Sequence, residues 1–383
     1  MSTKKTKSVK RGKQAQAKTS KSDYYSLKEI KKVKAVYNVI MGERSNGKTY
    51  SVLEESLINF IAKGERMAYI RRWQEDVIGR RASSIWRGLN ENGAVKEISK
   101  GKYDGIMYKS GAFYCYKEDE DGNKLYNDDD LIGFLFALSA GEHDKSTSYP
   151  NVKTIVFDEF LTRGTYLPDE FMLFMNTIST IVRRHQDVTI YMLANTVNKF
   201  APYFAEMGLN HVNQMQQGTI DVYTYGEKKA LTVAVEYCAS MEDKKKNNFY
   251  FAFDNPKLEM ITGGAWELDI YPHLPIKYKP KNIDFTYFIE FNEGIYQCEV
   301  VSVEDNFFTY IHEKTTPIKD LNNDLIYSFD YVPKPNYVRN MYKPIIDLHK
   351  KILWFFVHDR VFYQDNNVGD AISNYLKECK RNK

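Results

Sequence analysis

Residues Gly42-Glu43-Arg44-Ser45-Asn46-Gly47-Lys48-Thr49 fit the pattern G-x-x-x-x-G-K-[ST] at every position. This spacing serves one chemistry well, the cradling of a polyphosphate by backbone N–H groups. Gly42 and Gly47 let the backbone approach the oxygens, and Lys48 adds a positive charge. Thr49 offers a hydroxyl to Mg²⁺. Arg44, Ser45 and Asn46 form the body of the loop, and Arg44 is an unusual cation there, suited to a further phosphate contact.

A second constellation lies about a hundred residues on. Asp158 and Glu159 follow the apolar run Ile155-Val156-Phe157. An acid at the end of a strand beside a phosphate loop holds Mg²⁺, usually through water, and a second acid next to it polarises the attacking water. These are the roles expected of Asp158 and Glu159. Alone, the pair is equally an ordinary acidic strand end. Asn195 follows the next apolar run, where a polar side chain touches a γ-phosphate or the attacking water; a loop Asn satisfying its own backbone is the alternative. Arg183 and Arg184 close an amphipathic segment. They read either as cations compensating a helix dipole or as an arginine finger reaching a neighbouring subunit's phosphate. Arg71, Arg72, Arg80, Arg81 and Lys145 are candidate contacts to a nucleic-acid backbone, each also explicable as a solvated charge.

The elements that must position these residues follow from hydrophobic spacing. Ala35 to Met41 reads as a buried strand leading into the loop. Val52, Leu53, Leu57, Ile58 and Ile61 recur at helical spacing behind it. Strand, loop and helix thus stand in the order that aims a helix N-terminus at an anion. Further strands are expected at Met67–Ile70, Ile132–Leu138, Val152–Phe157 and Val188–Leu193, with a hairpin around Ser110-Gly111. Pro168-Asp169-Glu170 opens a helix that ends near Arg183. Strands alternating with helices predict an α/β fold with a mostly parallel sheet covered on both faces. Past Tyr203 the pattern loosens, and a small connecting segment is expected. Strands are expected again at Phe285–Phe291, Gly294–Val301 and Phe307–His312, followed by helices around Ile345–Val357 and Val368–Leu376.

Composition bounds the class. The 383 residues suggest two or three domains, and 43% hydrophobic residues are enough for real cores. Cys115, Cys238, Cys298 and Cys379 are scattered without metal spacing, which points to a reducing compartment with neither disulfides nor a structural metal. The longest apolar runs are too short to span a bilayer, and no secretory signal is expected. Lys4, Lys5, Lys7, Lys10, Arg11, Lys13, Lys18 and Lys21 precede the first acid, Asp23, so the tail supplies the whole positive excess of a chain whose net charge is +4. Such a tail is expected to be disordered. It is either solubilising or a phosphate-seeking arm for nucleic acid.

Taken together, the residues resemble the DNA-packaging ATPases of small tailed phages, the phi29-like motors related to large terminase subunits. The resemblance rests on Gly42 to Thr49, on Tyr149-Pro150-Asn151-Val152 leading to Val156-Phe157-Asp158-Glu159-Phe160, and on Val182-Arg183-Arg184 followed by Leu193-Ala194-Asn195. It implies a P-loop ATPase domain of the ASCE/RecA-like type and a smaller α+β, RNase-H-like C-terminal domain. The divisions expected are 1–25 disordered basic tail, 26–205 ATPase domain, 206–248 linker or lid and 249–383 C-terminal domain. It implies ATP and Mg²⁺ as cofactors, Arg183 as trans-acting finger and Lys145 as a second trans-acting position. Its partners would be double-stranded DNA, further copies in a ring, usually a pentamer, a portal protein and a structural RNA in some members. The place would be the portal vertex of a procapsid in the host cytoplasm. Glu290 falls where a nuclease acid could lie, but Asp365 and Asp370 are its only loose companions, so no cleavage is expected. Another nucleic-acid-dependent P-loop ATPase, a helicase or translocase, and a nucleotide-gated assembly protein or GTPase-like switch remain as other readings; the acidic pair and the arginine favour hydrolysis over a P-loop kinase, and Asn198-Lys199-Phe200-Ala201 lacks the Asp of a guanine-reading N-K-x-D.

Overall fold

The strand that leads into the phosphate loop, β1 (Tyr37–Gly42, after helix α1, Lys28–Val33), is buried along its whole length. A strand buried on both faces requires cover on each, and the computed structural model provides it. The structure describes residues 10–11, 15–16, 24–140, 148–162, 166–183, 187–196, 201–226, 231–239, 271–274, 276–292, 294–303, 306–330 and 332–381. The chain divides into two compact units, Met1–Glu267 and Leu268–Lys383.

In the first unit β1 is followed by α2 (Lys48–Lys63), β2 (Arg66–Arg71), the hairpin β3 (Gly105–Lys109) and β4 (Ala112–Glu118), and β5 (Leu131–Ala137). Then come β6 (Val152–Asp158), α3 (Glu170–Val182), β7 (Thr189–Asn195), β8 (Thr219–Tyr225) and β9 (Leu231–Tyr237). The strands lie side by side in the order β8-β9-β1-β7-β6-β2-β5-β4-β3. From β9 to β5 every neighbour is parallel; β8 and the β3–β4 hairpin add antiparallel flanks. The architecture is α/β with a mostly parallel sheet.

Alternation along the strands builds two cores. Val39, Met41, Ile155, Phe157, Ile190 and Met192 face α3, where Phe174 and Ile181 are buried. Ile40, Val156, Tyr191 and Leu193 face the other way, toward Val52, Leu53 and Leu57 of α2 and Ile30 of α1. Each such side chain contributes roughly 1.5–3 kcal/mol relative to exposure. The two apolar layers, rather than any single polar contact, therefore keep the strand ends in line.

Two expectations are corrected. The described residues of 206–248 are not a connector: β8 and β9 belong to the main sheet, and β9 lies parallel against β1, with Val235 opposite Val39; residues 227–230 and 240–248 lie outside the described residues. Buried Asp221 and Glu236 interrupt the apolar pattern and hide these strands from a periodicity reading. Nor is the whole of residues 1–25 a structureless tail. Lys10–Arg11 and Ala15–Gln16 pair antiparallel with β8, using the backbone groups that an edge strand leaves open. Tyr25 is tied into the fold by its amide, which donates to the Asn46 carbonyl at 2.8 Å.

The second unit is α+β. A meander of β10 (Ile283–Phe291), β11 (Gly294–Val303) and β12 (Asn306–Glu313) takes β13 (Ile326–Ser328) parallel beside β10, with β14 (Tyr337–Val338) beyond it. Helix α4 (Asp347–Val357), strand β15 (Val361–Tyr363) and helix α5 (Asn366–Arg381) follow. The four cysteines are free and buried. Among the described residues no helix is long and apolar enough to cross a membrane.

Glu236 gives the first unit a pH dependence. Burial pushes its carboxyl up to about 7 from an ordinary 4.5, partly offset by the bond it accepts from the Tyr25 hydroxyl at 2.7 Å. A raised carboxyl favours the folded state fully below about 4.5, and that contribution is lost as pH rises through about 7. Glu236→Gln is therefore expected to melt higher than the parent at pH 8, with the gap closing at pH 5. An equal gap at both values would show that Glu236 is ionised throughout.

Candidate active site

Parallel pairing brings three strand ends to one edge. Asn195 at the end of β7 stands opposite Gly42 at the end of β1, and Asp158 at the end of β6 stands opposite Leu193. β7 thus sits between the loop strand and the acidic strand, and its last residue lies between their chemistries.

The loop's two glycines serve different needs. Gly47 adopts φ +94°, a left-handed conformation that a side chain would strain. Gly42 is required by crowding, because a Cβ there would lie 2.8 Å from Cβ of Cys238, just past β9. Its role is close packing under the loop as much as approach to phosphate. Lys48 is buried, and burial draws its ammonium below the usual lysine range, against the pull of Cys238, Asp158 and Glu43. Its Nζ donates to the Glu43 carbonyl at 2.6 Å, to Asn46 Oδ1 at 3.1 Å and to Asn195 Oδ1 at 3.5 Å. Asn46 is buried; Arg44 and Ser45 are exposed on the outer rim of the loop.

Asp158 is the meeting point. Its Oδ2 accepts from Thr49 Oγ1 at 3.1 Å and from Tyr69 Oη at 2.5 Å, and Arg71 Nη1 lies 3.9 Å away. Burial, then the carboxylate, pushes the Tyr69 phenol up, so it stays a donor. Glu159 takes a positive φ of 57° and turns its carboxylate outward, where Arg71 Nη2 donates to it at 2.5 Å. Arg72 braces this strained backbone: it donates to the carbonyls of Glu159 at 3.2 Å and Phe160 at 2.6 Å, and to Glu170 Oε2 at 2.8 Å. Glu170 accepts in turn from Tyr203 at 2.7 Å and from the Leu167 amide at 2.7 Å.

The structure thus gathers Lys48, Thr49, Asn46, Asp158, Glu159 and Asn195. Arg183 is not among them. It is exposed where α3 ends, before β7 begins, so it lies at the opposite edge of the sheet, roughly 20 Å away for a strand of this length. Lys145 and Arg184 lie outside the described residues. Arg72 is corrected as a nucleic-acid contact: it is 6% exposed and fully engaged inside the fold. Arg71 is likewise engaged with Glu159, while Arg81 is exposed and paired with Asp76. In the second unit Glu290 is half-buried on β10, and burial pushes its carboxyl up. Asp365 accepts from the Val368 amide at the start of α5, and Asp370 is buried within that helix. Among the described residues no group of three acids, histidines or cysteines is placed to hold a metal. Sequence reasoning missed Tyr69, Cys238 and Glu170; the first faces the acid from a neighbouring strand, which no local pattern announces.

Known proteins resemble this chain in sequence and in fold. A family model described as podovirus DNA encapsidation protein (Gp16) matches residues 19–320. The DNA packaging protein of Bacillus phage phi29 is 28% identical over 187 residues, 48% of this chain and 50% of that protein. That of Bacillus phage B103 is 28% identical over 177 residues, 45% of this chain and 48% of that protein. The chain spans about half the length of the curated relatives it matches. The solved viral genome packaging motor assembly of bacteriophage Phi-29 aligns with a TM-score of 0.55 at 20% identity, covering 94% of this chain and 99% of that one. At that identity the likeness speaks to fold alone, and it agrees with the α/β architecture and mostly parallel sheet of the first unit.

The Arg72–Glu170 pair yields a test. Arg72→Met leaves the Glu170 carboxylate buried without its cation, at a cost of about 3–5 kcal/mol in urea unfolding. Arg72→Met with Glu170→Met is expected to recover most of that loss, because neither charge then remains buried. No recovery in the double variant would mean that the brace on the Phe160 carbonyl dominates.

Proposed function

The chain belongs to the podovirus DNA encapsidation protein family, and on that premise we propose that it is an ATP-hydrolysing motor that drives double-stranded DNA into a preformed capsid. The observation that carries this reading is the approach of Thr49 and Asp158 to 3.1 Å, on the edge where Lys48 and Asn195 also meet. Two hard oxygen donors side by side next to a phosphate loop fit Mg²⁺, which takes few protein ligands together with phosphate oxygens and water. Thr49 and Asp158 would hold it; when bound, it neutralises charge on the transferring phosphoryl group.

The chain's own residues supply the rest. Loop N–H groups from 42–49 orient the phosphates, with Arg44, Ser45 and Asn46 forming the outer wall. Lys48 exchanges its bond to the Glu43 carbonyl for phosphate oxygens. Glu159 takes the proton of the attacking water once its carboxylate leaves Arg71. Asn195, beside Lys48, registers the γ-phosphate. Arg183 acts in trans, since a guanidinium at the far edge of the sheet is useful only to another copy's site; Lys145 is assigned a second trans-acting role. This arrangement requires a ring, which we take as a pentamer on the portal at the procapsid vertex in the host cytoplasm, with a structural RNA as a further partner. We read the second unit as an RNase-H-like domain that docks and grips DNA without cutting it. Its meander with a parallel strand added beside the first member supports that reading.

Three measurements follow. ATPase rate should rise on adding duplex DNA; a rate indifferent to DNA would point to an assembly protein instead. Glu159→Gln should bind ATP yet hydrolyse it at least a hundredfold more slowly, whereas Lys48→Ala should lose binding. Arg183→Ala should lose turnover alone and regain part of it when mixed with Lys48→Ala subunits, whose arginine is intact. Mixing that restores nothing would remove Arg183 from the finger role.

A further inference from the structure

A phosphate loop holds only the charged end of a nucleotide, and the base must find a surface beyond the first turn of the helix that follows. In this chain that turn opens onto a groove of about 940 Å³, lined among others by Tyr24, Leu27, Tyr50, Glu54 and Asn92, with Gly47 of the loop in its wall. The size lies within the range of small-ligand sites.

One wall is an aromatic ring whose chain is anchored at the residue that follows it. Tyr24 is 63% exposed, yet the chain beside it is pinned to the loop. The Tyr25 amide donates to the Asn46 carbonyl at 2.8 Å, and the Ser51 hydroxyl donates to the Tyr25 carbonyl at 2.6 Å. Tyr24 packs on the loop itself: a Cβ on Gly47 would lie 3.5 Å from Tyr24 Cβ and 3.6 Å from its Cδ1. The other wall is fixed as well. The Tyr50 hydroxyl accepts from Asn92 Nδ2 at 2.7 Å, and its ring packs on Gly88. A solvent-open ring packed against Gly47, the residue before Lys48, is a stacking platform, because every base presents a π-face and needs only a flat partner beside the phosphate loop.

We propose that this groove is the nucleobase subsite, with the base of ATP stacked on Tyr24 and Tyr50 closing the far wall. The inference rests on the ATPase reading and adds to it. Tyr24–Ser26, the segment immediately before the first helix, tells a nucleoside triphosphate from bare polyphosphate; the loop does not.

The test uses the full chain and two probes, Mg-ATP and inorganic tripolyphosphate, in equilibrium binding. Tyr24→Ala should weaken ATP by about ten- to a hundredfold and leave tripolyphosphate unchanged, and Tyr24→Phe should bind both like the parent. Equal loss of both ligands in Tyr24→Ala would make Tyr24 a prop for the loop and overturn the subsite; unchanged ATP affinity would overturn it too. Lys48→Ala should weaken both ligands, which distinguishes failure of the loop from failure of the base site. If the parent binds neither ligand, the ATPase reading falls first and this inference with it. Should Tyr24→Ala not fold, photolabelling of the parent with azido-ATP gives an independent answer. Label on the peptide bearing Tyr24 supports the subsite, and label confined elsewhere rejects it.

Discussion

Everything in the first unit converges on the carboxylate of Asp158. It accepts from Thr49, which belongs to the loop helix, and from Tyr69, which belongs to the next strand along the sheet. One buried anion thereby ties three elements whose sequence positions are far apart. Such an anion is costly unless its oxygens are satisfied, and here two hydroxyls and the Glu159 amide satisfy them. The apolar layers bring the strand ends together, and the hydrogen bonds of Asp158 then order the side chains between them.

The exit from that strand is the strained point. Glu159 in the left-handed region costs on the order of 1–3 kcal/mol, and Arg72 offsets this by binding the two carbonyls that the turn exposes. Arg72 itself is anchored by Glu170 at the start of α3, with Tyr166 under its guanidinium at 5.0 Å. The turn that aims Glu159 outward is therefore built by the helix that follows it. Arg71 and Arg72, adjacent in sequence at the end of β2, divide the work: one meets the Glu159 side chain, the other its backbone.

Strand–loop–helix order, the acidic pair and Asn195 were legible because each depends on local chemistry: a glycine spacing, an apolar run ending in charge, a polar residue past a strand. The helices of the second unit were legible from the apolar patterns around Ile345–Val357 and Val368–Leu376. What the chain hid was lateral. Nothing near Tyr69 says that Asp158, 89 residues on, will be its partner. Arg72 looked like a surface cation because its carboxylate lies 98 residues away. β9 escaped for a related reason: Glu236 breaks an otherwise apolar run, and only the fold shows that Tyr25 arrives to meet it. Lys145, expected to act on a neighbour, lies outside the described residues, and Arg183 was legible as a helix end though its distance from its own loop follows only from the parallel pairing.

β9 lies parallel against β1, yet it is made nearly two hundred residues later. During synthesis the strand bearing the phosphate loop therefore emerges long before its outer neighbour and must wait with one row of peptide groups open. A ribosome-bound or truncated chain that stops short of Tyr237 presents that edge to whatever strand comes first. The nascent chain is thus most exposed to misassociation at the very strand on which its chemistry is later mounted.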